Sequence, residues 1–138
     1  MDLKKISKRI VIIGALFIWT VKFGIRPFFI FDLPVKFFLG IAPNLMGSFL
    51  IPFGAYWFFN ERYFLVARIF HIRSFADLRS VCLVGFGLLV INEYLQLIPF
   101  FGRTFDFFDI LFSLVGLTIS YFVFSRLYYK AIVQYRPD

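Results

Sequence analysis

A chain of 138 residues has room for one domain, but 23 Phe and a hydrophobic content of 61% are more than so small an interior can hide from water. That excludes an ordinary soluble domain. The formal net charge of +7 does not indicate nucleic acid, because the basic residues stand at the ends of apolar runs and form no single patch. With Cys82 as its one cysteine, the chain has neither an intramolecular disulfide nor a cysteine-based metal site, and the apolar neighbours of Cys82 make it a packing residue.

The expected class is therefore all-α, a polytopic membrane protein with one membrane domain over residues 1–138 and the lipid bilayer as its first partner. The start, MDLKKISKRIVIIGALFIWTV, has the basic residues and apolar run of a secretory signal but no small-x-small cleavage site. It reads as an uncleaved first span over about 10–25, with Lys22 snorkelling toward headgroups. Pro27 and Pro34 mark a tight connection to the second span, about 35–60. Pro43, Asn44, Gly47, Ser48 and Pro52 predict a kink there, and close packing at the small residues. Asn44 needs a partner in an apolar span; helix packing is the first reading and ligand contact the second.

The following stretch, ERYFLVARIFHIRSFADLR, is too charged to cross a bilayer. Leu65, Ile69, Ile72 and Phe75 recur at helical spacing, which predicts an interfacial amphipathic helix between the second and third spans, its arginines toward phosphates. His71 within it reads as structural. The third span covers about 80–100 and contains Glu93, and the fourth covers about 107–128. Trp19 and Trp57 read as interface anchors, Gly47 and Gly116 as points of close helix approach, and Ser113, Thr118 and Ser120 as bonding back to their own helix. With four spans, the Lys and Arg of the N-terminus, the 61–79 stretch and the C-terminus outnumber the rest by eleven to four. This bias predicts cytoplasmic termini in a multi-pass protein of the bacterial inner membrane, with the connection after Glu93 facing outward.

That connection carries the chemistry. Glu93 and Gln96 are three apart on one helical face, as are Asp106 and Asp109, and Arg103 lies between the two pairs. A short hairpin makes the two helices antiparallel neighbours, so Arg103 is placed to bridge Glu93 and one Asp. An unpaired charge at the bilayer centre costs roughly 3 kcal/mol on insertion scales, which favours such gathering. Asp106 and Asp109 at a helix start also suit capping and the helix dipole, so fastening the hairpin is an alternative role for both. Asn44 and Asn92 are additional candidates. No catalytic set, nucleotide loop, His-based metal motif or cofactor fingerprint is visible.

The pattern Glu-x-x-Gln, Arg, Asp-x-x-Asp and a following Gly resembles the VanZ-like family of small bacterial integral membrane proteins. The matching positions are Glu93, Gln96, Arg103, Asp106, Asp109 and Gly116, within roughly residues 90–124. Where members often carry Asp-Lys and a His near an earlier span, this chain offers Asn44 and Ser48; Ser113 stands where Asn is common. The resemblance implies a multi-span envelope protein without an established catalytic activity. The expected function is binding of a polar group of a cell-envelope or lipid-linked ligand, with a link to tolerance of envelope-directed antibiotics. The alternative is a non-catalytic accessory subunit of a membrane complex, in contact with another membrane protein or a second copy, whose polar cluster only fastens the third and fourth helices.

Overall fold

In the computed structural model, residues 2–30, 32–98 and 105–134 are described, and the elements among them are helical. Helix α1 (Leu3–Trp19) starts at Asp2, whose side chain accepts the backbone N–H of Lys5 as a cap. It runs on without a break into a π-helical stretch, Thr20–Ile25. Helices α2 (Leu33–Phe49) and α3 (Ile51–Phe59) form one rod interrupted at Leu50. Pro52 lacks the N–H that would continue the ladder there, which accounts for the interruption, whereas Pro43 stands inside α2 without breaking it.

The 61–79 stretch differs from a single interfacial helix. Helix α4 covers only Leu65–Phe70, and residues 71–74 separate it from α5 (Phe75–Leu95). Two polar side chains make the break. Asn60 Oδ1 accepts the N–H of Ile72 at 3.0 Å, and Ser74 caps α5 by accepting the N–H of Asp77 at 3.1 Å. Ala67 and Ile72 are buried, whereas Leu65, Val66 and Ile69 turn outward, Leu65 at 85% exposure. The last helix, α6 (Phe107–Gln134), extends six residues past the sequence expectation.

Pairings along the rods fix their directions. Lys4 pairs with Glu61, Gly14 packs on Leu50 and Arg26 reaches Gly40, so the first rod is antiparallel to α2–α3. Phe37 meets Phe108, Phe53 meets Phe124 and Tyr56 meets Tyr128, so α2–α3 and α6 run parallel. Phe75 meets Tyr128 and Arg79 donates to the Tyr121 hydroxyl, while Tyr94 meets Phe105 at the far end; α5 is therefore antiparallel to α6.

The tightest approach is between α2 and α6. A Cβ on Gly116 would lie 2.2 Å from the Leu45 carbonyl oxygen and 2.3 Å from Ser48 Oγ. Beside it, Ser120 donates across the seam to the Phe49 carbonyl instead of to its own helix, while Thr118 bonds back to Leu114 as expected. Among the described residues nothing lies within 4 Å of the Cβ position of Gly47, so it makes no close approach to them. The buried core, including Phe53, Leu78, Val81, Cys82, Leu117 and Phe124, lies toward the end of the bundle where α5 begins and α6 ends.

Among the described residues, three helices are long and apolar enough to cross a membrane: Leu33–Phe59, Phe75–Leu95 and Phe107–Gln134. At most 33% of the most apolar window of each is buried inside the protein. Their remaining apolar surface, with Leu83, Leu88, Phe122 and Val133 among the exposed side chains, needs an apolar solvent. This arrangement fits a multi-pass protein in contact with lipid.

Candidate functional site

Glu93 occupies the last turn of α5, where the apolar run from Val81 to Ile91 ends. It is 7% exposed and is the one ionisable carboxylate among the buried residues described. Gln96 caps the helix: its backbone N–H donates to the Glu93 carbonyl, and its side-chain Nε2 donates to Glu93 Oε1 at 2.8 Å. The three-residue spacing thus brings together the two groups that it was expected to. Asn92 is exposed beside them.

Asp106 and Asp109 have different surroundings despite their common spacing. Asp106 precedes α6 and caps it, Oδ1 accepting the N–H of Phe108 at 2.9 Å and its carbonyl accepting the N–H of Asp109. Asp109 is half-buried and engaged by the side chain of Asn44 on α2, within electrostatic reach of Arg26 and Lys22 from the first rod. Asn44 therefore faces the cluster. Arg103, and the bridge expected of it, lie outside the described residues.

Arg26 and Lys22 are the partners that sequence reasoning missed, having treated them as topology signals. The available clue was their spacing of four, which puts both near one face at the end of the first rod. Arg26 crosses toward α2, a guanidinium nitrogen lying 3.9 Å from the Cβ position of Gly40. Lys36, Gly40 and Asn44 recur every four residues, so α2 offers a polar stripe beneath that guanidinium. Arg26 and Lys36 also line a cavity of about 340 Å³ with Pro27, Phe29, Ile30 and Leu39.

One end of the bundle thus combines cations open to an anionic group with carboxylates and amides that orient hydroxyl or amine donors. No three His, Cys, Asp or Glu among the described residues converge as a metal site would need. Comparison with protein-family models, curated proteins and solved structures gives no match.

Proposed function

We propose that this is a VanZ-like protein of the bacterial inner membrane. In this reading four rods cross the bilayer, both termini are cytoplasmic, and α4 with its flanking residues lies in the interface. The outward end binds the polar group of a cell-envelope or lipid-linked ligand, through Glu93, Gln96, Asp109 and Arg103, with Arg26 and Lys36 holding an anionic portion. The alternation of the four rods and the charge bias favour this orientation.

The observation that carries the binding role is Glu93, a carboxylate kept in a buried position at the same end of the bundle as Asn44, Asp109 and a basic cavity. Replacing even a paired buried charge by an apolar residue is often neutral or stabilising, so a purely structural site has little need of a carboxylate there. A second reading has support from Asp109 of α6, which the Asn44 side chain of α2 engages: the polar end fastens helices in an accessory subunit.

One experiment separates the two. Wild type, Glu93→Gln and Arg103→Ala are purified in mild detergent, co-purifying envelope lipids are identified by native mass spectrometry, and thermal unfolding is followed in parallel. Ligand binding predicts about tenfold lower retention of a lipid-linked species at near-native stability, the cost of one charge-assisted hydrogen bond. Equal retention in all three proteins rejects binding, and lowered stability with unchanged retention selects the fastening role.

A further inference from the structure

At the opposite end of the bundle, Arg62, Arg68, Arg73 and His71 line a cavity of about 390 Å³ with Tyr63, Phe64 and Leu65. Several features hold these groups in place. The Asn60 to Ile72 hydrogen bond closes the segment, the Tyr128 hydroxyl donates to the Arg73 carbonyl, and the Tyr63 ring stands edge-on to the His71 ring at 6.4 Å. The Arg62 guanidinium sits over the Phe58 ring, 5.7 Å from its centroid.

The nearby acids are committed elsewhere. Glu61 pairs with Lys4, and Asp77, which feels the charge of Arg73, accepts the N–H groups of Arg73 and of its own helix cap. No ion pair among the described residues engages the three guanidinium groups. His71 Nε2 is buried with no hydrogen-bond partner among the described residues. Three forked cations around one cavity leave excess positive charge and open donors, which a tetrahedral oxyanion satisfies.

We propose that this cavity binds a phosphate group, with Arg68 and Arg73 as forked donors and His71 as part of the wall beside them. Two sources share that chemistry. The outward apolar side chains of Leu65, Val66 and Ile69 suit a lipid headgroup beside a membrane surface, and the open cavity also admits free phosphate. The site lies at the other end of the molecule from Glu93, so it does not depend on the ligand proposed there; its lipid source alone rests on the interfacial placement of α4.

The test uses full-length protein in maltoside micelles, in two arms. In the first, retention of phosphatidate is compared with that of diacylglycerol of the same acyl chains by native mass spectrometry. In the second, inorganic phosphate is titrated and binding is read by calorimetry. Arg68→Gln, Arg73→Gln and His71→Gln are compared with Arg126→Gln, which removes an equal charge from exposed α6 surface outside the cavity. The expected result is phosphate-dependent binding in at least one arm, weakened about tenfold by each arginine change in the cavity and less than twofold by Arg126→Gln.

Binding confined to the lipid arm assigns a headgroup, and binding confined to the soluble arm assigns free phosphate. Arg68→Lys, which keeps the charge but loses the fork, guards against misfolding and is expected to bind more weakly than wild type at unchanged helicity. Equal loss in Arg126→Gln and the cavity variants, or no preference for phosphatidate together with no phosphate binding, overturns the proposal.

Discussion

Asp106 and Asp109 show how little a residue's type says about its task. Both are carboxylates at the start of α6, yet Asp106 accepts a backbone N–H of its own helix and Asp109 meets an amide from another. Capping depends on a short side-chain acceptor and not on charge, so Asp106→Ala is expected to cost about 1 kcal/mol of stability and Asp106→Asn much less. Thermal unfolding in detergent reads both changes, and an equal loss in the two would mean that Asp106 acts through its charge. The Glu93–Gln96 pair and the Asp106 cap were legible in the sequence because each depends on local spacing. The approach of Arg26 and Lys22 to Asp109 was not, since it spans more than eighty positions and depends on how the first rod leans on α2. The same limit explains Ser120: a hydroxyl in a helix bonds its own backbone by default, and only the nearness of α2 redirects it to Phe49.

Among the helices, α2 and α6 share the closest packing, and its centre is Gly116. The atoms that a new Cβ would strike there include a backbone carbonyl, which cannot swing aside as a flexible side chain does. Gly116→Ala is therefore expected to destabilise by about 1–3 kcal/mol, the usual cost of overpacking. Gly47→Ala, in open space on a helix, is expected to be neutral or stabilising by up to about 1 kcal/mol through helix propensity. Unfolding midpoints of the two variants in one detergent check the contrast. Both glycines looked alike in sequence, because a small residue in an apolar run signals close packing without saying which face meets a neighbour. The interruption at Leu50 was better marked, since Pro52 lacks an N–H there, although Pro43 stands inside α2 without ending it. The interfacial stretch misled for a related reason: its apolar spacing continued through Phe75, but Asn60 and Ser74 gave the backbone other hydrogen bonds and ended the helix early.

Across the whole molecule, apolar composition and run length made the helical membrane class readable, while the neighbour relations were not. The aromatic row from Phe37–Phe108 through Phe53–Phe124 to Tyr56–Tyr128 joins two rods separated by a third in sequence. The proposed orientation has a direct check. In a Cys82→Ser background, a cysteine at Lys36 is expected to react with an impermeant maleimide added outside intact spheroplasts, and one at Tyr63 only after permeabilisation. The reverse pattern would place the Glu93 end in the cytoplasm and exclude an external ligand there.

Because α6 lies parallel to α2–α3, it cannot join them as the second arm of a simple hairpin. The ribosome delivers it only after α5, so the notch over Leu45 and Ser48 has no α6 to fill it until then. Assembly should then finish with a late docking step, in which Gly116 fits the vacancy and Ser120 latches onto Phe49.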